Sequence, residues 1–122
     1  MYSERLMELF HSRAHGGDLP DATHFGQAGT PGGGPYIQIW LRVEDGVVDA
    51  ARWRTYGCPA AIACAEACCR WAEGKALDRL GFVEPPRVAD WVGGVPVGKD
   101  HCPELAANAL RDAESRGWPL SS

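Results

Sequence analysis

The spacing of hydrophobic and polar residues changes along the chain from helical to strand-like and back to helical. Over residues 3–13, apolar side chains recur at near-helical spacing among charged ones and predict a short amphipathic helix capped by Ser3. These apolar side chains are Leu6, Met7, Leu9 and Phe10. Residues 15–35 are rich in Gly, Pro, Asp and Thr, which is typical of loops, with one short strand predicted near Phe25.

The centre of the chain predicts a β-hairpin. An aromatic and β-branched run from Tyr36 to Val43 predicts the first strand, and residues 44–46, Glu-Asp-Gly, supply a turn. The second strand is predicted over residues 47–56, where an alternating pattern continues. The positions of that alternation are Val48, Ala50, Arg52 and Arg54.

The second half of the chain predicts helices. The first runs from Cys58 to about Glu73 and is stopped by Gly74 in a left-handed cap. Successive residues of a helix are about 100° apart, so this helix has one polar and one apolar face. Its polar face contains Glu66, Arg70 and Glu73. The opposite, apolar face contains Ala61, Cys64, Cys68 and Ala72.

Two short helical pieces and a longer last helix are predicted further along. The short pieces cover residues 76–80 and 88–92, separated by two prolines, and the last helix runs from Pro103 to about Arg116. The tail over residues 118–122 is predicted to be loose. Because strands come first and helices later, the predicted fold class is α+β.

Length and charge narrow the functional classes. The chain has 122 residues, which suits one domain over residues 1–122 with a sizeable core. Its net charge is −4, and no long run of Lys or Arg offers a phosphate-binding stripe, so no nucleic-acid partner is expected. No stretch is long and apolar enough to span a bilayer, and the N-terminus lacks the apolar core of an export signal. We therefore expect a cytoplasmic protein without a membrane partner.

The cysteines are the most unusual part of the composition. The chain has five, an odd number, and four of them lie between Cys58 and Cys69. A reducing compartment disfavours structural disulfides, so metal binding, sulfur chemistry or burial must explain these thiols. Cys64 and Cys68 lie among alanines on one helical face and are interpreted as packing residues. Cys69 lies nearer the polar face and is expected to be partly exposed.

Two cysteines are each followed by proline where a helix is predicted to begin. Proline suits the first helical position, so Cys58 and Cys102 are both predicted to be N-caps facing the positive end of the helix dipole, which lowers a thiol pKa. His101 precedes the second cysteine and adds a nitrogen donor, so the two segments together offer Cys, His and Cys to a metal ion. The alternative is that each cysteine is only a small, half-buried residue before a helix.

Other titratable side chains have simpler interpretations. His11, His15 and His24 lie in the N-terminal third, where solvated or hydrogen-bonded loop histidines are more common than ligands. Lys99, close to His101, is interpreted as a solvated lysine.

The segments around the two Cys-Pro pairs are also recognisable. TYGCPAAIA at residues 55–63 and KDHCPELA at residues 99–106 resemble the iron–sulfur cluster assembly scaffolds of the IscU and NifU N-terminal family. The resemblance covers nearly the whole chain, and further matching segments are YSE at 2–4, GDLPDA at 17–22 and GKALD at 74–78. It implies a small antiparallel sheet of about three strands covered on one face by helices, and cluster building on three cysteines, an aspartate and a histidine.

Only part of that ligand set is present. Cys58 and Cys102 match two of the family's cysteines, and His101 matches the histidine. The family's Cys-Gly-Asp falls on Gly33-Gly34-Pro35, so the first cysteine and the aspartate are absent. The family's docking segment for an Hsp70-type chaperone reads VPVGK at residues 95–99, which keeps one proline and the lysine.

The leading functional hypothesis is a divergent scaffold protein for iron–sulfur cluster assembly that is not an enzyme. The resemblance implies that Cys102 accepts a persulfide from a cysteine desulfurase, and that Cys58, His101 and Cys102 bind iron or a labile 2Fe–2S cluster destined for apo iron–sulfur proteins. The alternative is a sulfur carrier or regulatory protein that binds one zinc or iron ion, or no metal, and docks on the desulfurase. A Cys-His hydrolase with Cys102 as nucleophile ranks last, because no third orienting residue is evident.

Overall fold

The computed structural model describes residues 2–117, which form one layer of helices on a three-stranded sheet. The elements, in chain order, are α1 (Glu4–Ser12), β1 (His24–Gly29), β2 (Tyr36–Glu44), β3 (Val47–Tyr56), α2 (Pro59–Ala72), a 3-10 helix (Leu77–Phe82), α3 (Pro85–Trp91) and α4 (His101–Ser115). The prediction of a loose tail over residues 118–122 lies outside the described residues. Within the described range, no helix is both long enough and apolar enough to cross a lipid bilayer.

The sheet is antiparallel in the order β1-β2-β3, and the helices cover one of its faces. The buried side chains of β2 and β3 on this face join those of α1, α2 and α4 in one core; they are Ile37, Ile39, Leu41, Val48, Ala51 and Trp53. Tyr36 pairs with Gly29 on one side and with Tyr56 on the other. The loop of residues 30–35 and the junction from β3 into α2 therefore lie at the same end of the sheet. The predicted α+β architecture is confirmed.

The predicted alternation along β3 is wrong at one point, because the strand carries an extra residue. Arg42 pairs with Ala50 and Val43 pairs with Val48, so Asp49 has no partner of its own and forms a bulge. Val48 therefore packs in the main core. Ala50 instead faces the opposite side of the sheet, where it joins a small second cluster with Leu19, Ala22 and Trp40.

Helix α4 crosses β1 at Gly26 with almost no space between the two backbones. A Cβ atom built on Gly26 would lie 2.1 Å from the carbonyl oxygen of Ala109 and 2.3 Å from the backbone nitrogen of Ala113. These atoms belong to the helix backbone, which cannot turn aside as a side chain can. The absence of a side chain at Gly26 thus sets how closely α4 approaches the sheet.

Helix α2 forms the centre of the core and carries three of the five cysteines. Cys64 and Cys68 are fully buried, as predicted for packing residues. The prediction that Cys69 is partly exposed is wrong, since that side chain is also fully buried. The helix ends as predicted beside Gly74, which has a φ of 88°. Burial raises the pKa of all three thiols, so they are inert at neutral pH.

Glu66 was predicted on the polar face of α2, but it is fully buried beneath the loop that follows α1. Its carboxylate accepts hydrogen bonds from Trp53 Nε1 at 2.8 Å, from Arg70 Nε at 2.9 Å and from the backbone N–H of His15 at 2.9 Å. The ring of His15 bridges Glu66 and Glu73, with both nitrogens 2.8 Å from a carboxylate oxygen. Burial alone would raise the pKa of Glu66, but these bonds outweigh it and lower the pKa.

The buried carboxylate ties the N-terminal loop to the sheet and to α2. The His15 ring lies between the two carboxyl groups, so a single side chain of the loop links it to both Glu66 and Glu73. His15 is thus the hydrogen-bonded loop histidine that its position predicted. Removing a hydrogen-bond partner of the buried Glu66 carboxylate is costly, because its charge is then left without compensation.

Candidate functional site

The beginnings of α2 and α4 meet at one point on the surface and bring two thiols together. Cys58 is the N-cap of α2, as predicted, with extended backbone and Pro59 at the first helical position. Its Sγ lies 3.7 Å from Sγ of Cys102, at the beginning of α4. Cys58 is half-buried and Cys102 is fully buried, so the pair extends from the surface into the core.

The prediction that Cys102 is an N-cap and that its helix begins at Pro103 is wrong. Helix α4 begins at His101, its N-cap is Asp100, and the backbone N–H of Cys102 donates to the carbonyl of Lys99 at 3.0 Å. Pro103 is therefore the third helical residue, which is allowed because the N–H groups of the first turn have no partner within the helix. Starting two residues earlier turns Cys102 inward instead of leaving it at the helix tip.

The two thiols consequently have opposite acid–base character. Burial alone would raise the pKa of Cys58, but the backbone N–H groups of Ala61 and Ala60, the Cys102 thiol and the charge of Lys99 together lower it. Burial and the neighbouring Cys58 raise the pKa of Cys102 to about 12. The predicted lowering of the pKa is thus found at Cys58 and is wrong for Cys102.

We expect this difference to appear as selective alkylation. At neutral pH, iodoacetamide should modify Cys58 faster than any other cysteine of the chain, by at least about tenfold, because the thiolate is the reacting form and Cys58 is partly exposed. Peptide mass spectrometry over a time course measures the rate at each position. The variant Cys58→Ser should lose the fast phase, and faster modification of Cys102 in the wild type would contradict the assignment.

His101 and two further side chains surround the thiol pair. Nε2 of the exposed His101 lies 3.6 Å from Sγ of Cys102. The ammonium charge of Lys99 favours the thiolate form of both cysteines, so it helps to lower the pKa of Cys58 and offsets part of the rise in the pKa of Cys102. The phenol of Tyr2 is close enough to Cys58 for the thiol to act on it, and burial and the neighbouring thiol raise its pKa. The site therefore contains two sulfurs, one imidazole, one phenol and one cation.

The loop at the same end of the sheet contains Gly33 and Pro35, at which the family resemblance predicts two further ligand positions. Residues 30–35 connect β1 to β2, and the backbone N–H of Gly33 donates to the carbonyl of Thr30 at 2.9 Å. A cavity of about 370 Å³ lies at this end of the sheet, lined by Gly32, Gly34, Tyr36 and Tyr56. Neither Gly33 nor Pro35 presents a donor side chain to it. The sheet thus places the loop near Cys58 without supplying a third thiol or a carboxylate.

Two of the distances between donor atoms match those expected when both atoms bind the same metal ion. Two thiolates on a tetrahedral ion with bonds of about 2.3 Å lie about 3.8 Å apart, and the two Sγ atoms are 3.7 Å apart. A thiolate and an imidazole on the same ion lie about 3.6 Å apart, as Cys102 and His101 do at 3.6 Å. Among residues 2–117, however, no three His, Cys, Asp or Glu side chains form a group that could hold a metal ion as they stand.

Two members of this site were not found from the sequence as site residues. Lys99 was interpreted as solvated, but its charge acts on both thiols. Tyr2 was noted only within the YSE segment, and its contact with Cys58 joins residues far apart in the chain. The signal for both was their presence in segments that resemble the family. Neither has a pattern of its own, since a single lysine or tyrosine is common on any surface.

Comparison with known proteins gives consistent results. Residues 1–116 match the family described as NifU-like N terminal domain. The chain is 34% identical over 113 residues to the iron–sulfur cluster assembly scaffold protein IscU 1 of Archaeoglobus fulgidus, covering 93% of this chain and 74% of that protein. It is 31% identical over 116 residues to the iron–sulfur cluster assembly scaffold protein IscU of Haemophilus influenzae, covering 92% of this chain and 91% of the relative.

A solved structure supports the fold independently. The N-terminal part of a nitrogen-fixing NifU-like protein from Brucella abortus superposes with a TM-score of 0.70 at 16% identity, covering 91% of this chain and 90% of the other. At that level of identity the likeness concerns the fold alone. The three-stranded antiparallel sheet with its layer of helices therefore belongs to a known architecture.

Proposed function

The chain belongs to the family of NifU-like N-terminal domains, and we propose on this basis that it is a scaffold on which iron–sulfur clusters are assembled. The observation that carries the proposal is the meeting of two thiols and an imidazole at the beginnings of α2 and α4, with the sulfurs 3.7 Å apart. Such a donor set suits iron and zinc, and thiolates are the usual ligands of iron–sulfur clusters. Iron and sulfide are the cargo of this site.

Each of the three side chains has a proposed role. Cys58, His101 and Cys102 bind the iron of the growing cluster, and Cys102 holds the persulfide sulfur, as the family resemblance implies. Because Cys58 is half-exposed and has the lower pKa, we place it first in the path of the incoming sulfur. Exchange between the two sulfurs across 3.7 Å then carries the persulfide to the buried Cys102.

The ligand set is smaller than a stable cluster requires. A 2Fe–2S cluster takes four protein ligands, and this site offers three. Gly33 and Pro35 occupy the positions of the two others in the family pattern. We therefore propose that the cluster is labile and that a partner protein or solvent completes its coordination. A loosely held cluster suits a protein that must release its cargo.

The proposed partners follow from the same chemistry. A cysteine desulfurase, located with this chain in the cytoplasm, supplies the sulfur as a persulfide, and apo iron–sulfur proteins receive the product. Residues 95–99 lie at the surface just before α4 and include the fully exposed Val97. This segment is the proposed contact for an Hsp70-type chaperone, with the family's pattern kept only in one proline and Lys99.

Anaerobic reconstitution tests the proposed function. The wild-type chain, incubated with a ferrous salt, cysteine and a cysteine desulfurase, should develop visible absorbance and retain iron and acid-labile sulfide through gel filtration. Cys58→Ser, Cys102→Ser and His101→Ala should each lose most of the retained iron, because each removes one of three ligands. Cys68→Ala is the control, since it removes a buried thiol away from the site. A wild type without absorbance, or one equal to Cys102→Ser, would refute the scaffold function.

A sulfur carrier that binds zinc or no metal is the second candidate. The contact between the two thiols and the lack of a thiol at Gly33 favour it, because both suit the handling of sulfur more than the holding of a cluster. After incubation with desulfurase and cysteine without iron, intact mass spectrometry should then find one added sulfur on the thiol pair. A stoichiometric cluster after reconstitution would argue against this candidate.

A further inference from the structure

The closeness of the two sulfur atoms allows a reaction that neither thiol could perform alone. A disulfide bond is about 2.05 Å long, so the Cys58 and Cys102 sulfurs, 3.7 Å apart, need to approach by only about 1.7 Å. Cys58 precedes its helix and has extended backbone, so its side chain is not enclosed by a helical turn. The residues are 44 positions apart, and only the fold brings them into contact.

We propose that this pair converts a protein persulfide into free sulfide, with one thiol of the pair displacing the sulfur held by the other. The proposal rests on the proposed function, which supplies the persulfide. It extends that function, because the chain would then deliver sulfide itself as a product. The reaction consumes the two thiols, which end as a disulfide between Cys58 and Cys102.

The reaction balances without any outside oxidant. The sulfur of one cysteine attacks the inner sulfur of the persulfide on the other, and a new bond forms between Sγ of Cys58 and Sγ of Cys102. The bond from the inner to the outer sulfur breaks, and the outer sulfur leaves with the electron pair. It takes up the proton released by the attacking thiol and departs as hydrogen sulfide. The outer sulfur is reduced and the attacking thiol sulfur is oxidised, while the inner sulfur keeps the oxidation level that it already had in the persulfide.

No other thiol among the described residues is placed to take this role. Cys64, Cys68 and Cys69 are fully buried within the core of α2, and the contact between Cys58 and Cys102 is the one that joins two thiols at the surface. The loop of residues 30–35, which lies at the same end of the sheet, contains no cysteine. A persulfide formed on either member of the pair therefore has the other member as its nearest attacking sulfur.

The surroundings favour release of the product. The charge of Lys99 acts on both sulfur atoms, and a cation stabilises the sulfide anion as it leaves. The outer side of Cys58 is open to solvent, so the product can escape without passing through the core. The disulfide left behind blocks a second turnover until a dithiol reductant restores the pair. The chain would thus release one sulfide for each reduction.

The test follows the release of sulfide and the formation of the disulfide together, in the 122-residue chain. The reduced chain is loaded with sulfur in two ways, with inorganic polysulfide or with desulfurase and cysteine, and is then desalted without thiol reductant. We expect the wild type to release one sulfide per chain and to yield linked peptides containing Cys58 and Cys102. Release from Cys58→Ser and Cys102→Ser should be slower by on the order of 100-fold, because an intramolecular attack is replaced by a bimolecular one.

Further variants keep this test independent of folding defects. Cys58→Ala and Cys102→Ala serve beside the serine variants, and circular dichroism checks that each is folded. Cys64→Ala removes a core thiol near the pair and should release sulfide as the wild type does. Loss of release in Cys64→Ala but not in Cys58→Ser would overturn the assignment of the pair.

The two loading methods separate this inference from the proposed function. If desulfurase loads the wild type and the persulfide persists as long as in Cys58→Ser, sulfide release is refuted while sulfur acceptance stands. If polysulfide loads the chain and sulfide is released, but desulfurase never loads it, the reaction of the pair stands and the sulfur-acceptor function falls. A wild type that forms no disulfide between Cys58 and Cys102 after either loading also refutes the inference.

Discussion

Replacing Gly26 by alanine should destabilise the protein by more than about 3 kcal/mol, a large part of the roughly 5–15 kcal/mol that stabilises a typical domain. The new Cβ would lie 2.1 Å from the carbonyl oxygen of Ala109 and 2.3 Å from the backbone nitrogen of Ala113. Overpacking usually costs about 1–3 kcal/mol when side chains can rearrange. Here the obstacle is helix backbone, so α4 must move away from β1 as a unit.

Urea denaturation followed by circular dichroism measures this loss as a lower midpoint. The matched control is Gly33→Ala, where the new Cβ would come no closer than 3.5 Å to the carbonyl oxygen of Thr30. This control should keep the wild-type midpoint within experimental error. An unchanged midpoint for Gly26→Ala would mean that α4 does not pack on β1 as closely as described. Since α4 begins with His101 and Cys102, the same substitution should also separate the two thiols of the site.

Much of the fold could be predicted because its signals are local. The hairpin has alternating strands and a Glu-Asp-Gly turn, and α2 has a Cys-Pro beginning and a glycine just beyond its end. The bulge at Asp49 could not be predicted in this way, because it depends on how β3 pairs with β2. A single unpaired residue was enough to move Val48 and Ala50 to opposite sides of the sheet.

The buried carboxylate of Glu66 illustrates a second limit of local patterns. Helical spacing placed it on the polar face of α2, where it would meet water. It is instead covered by a loop, and its partner His15 lies 51 positions earlier in the chain. Periodicity reports which residues share a helix face, but it does not tell what covers that face. A charged residue can be buried wherever the rest of the chain brings enough donors to it.

The two thiols and the imidazole of the site were predictable from the sequence, but their chemistry was not. The repeated Cys-Pro pairs and the preceding histidine identified Cys58, Cys102 and His101, which the structure brings together. The pKa of a thiol depends on its exact position in the first helical turn and on its burial. Because α4 begins two residues before Pro103, Cys102 faces the core, and its pKa rises where a lowered one was predicted. Only Cys58 has the predicted activated character.

The substitution Gly33→Cys should increase the iron that the protein retains, because it adds a thiol at the position where the resemblance predicts the family's first cysteine. Three donors would become four, the number that a protein-bound 2Fe–2S cluster takes. The backbone at Gly33 accepts a side chain without strain, since its φ is not positive and the nearest atom to a new Cβ, the carbonyl oxygen of Thr30, is 3.5 Å away. The sheet holds this loop at the end where β3 leads into Cys58.

Metal and acid-labile sulfide analysis of protein purified anaerobically measures the gain, which we expect to be at least about threefold in retained iron because a complete ligand set replaces an incomplete one. Gly117→Cys is the matched control, since its new Cβ would meet no atom within 4 Å. It adds a thiol opposite His24, at the far end of β1 from the loop, and should leave retained iron unchanged. A gain in retained iron that is confined to Gly33→Cys would mean that the missing thiol at residue 33 keeps the natural chain from binding a stable cluster. Equal iron in Gly33→Cys and the wild type would instead favour the sulfur carrier, because the missing thiol would then not limit cluster binding.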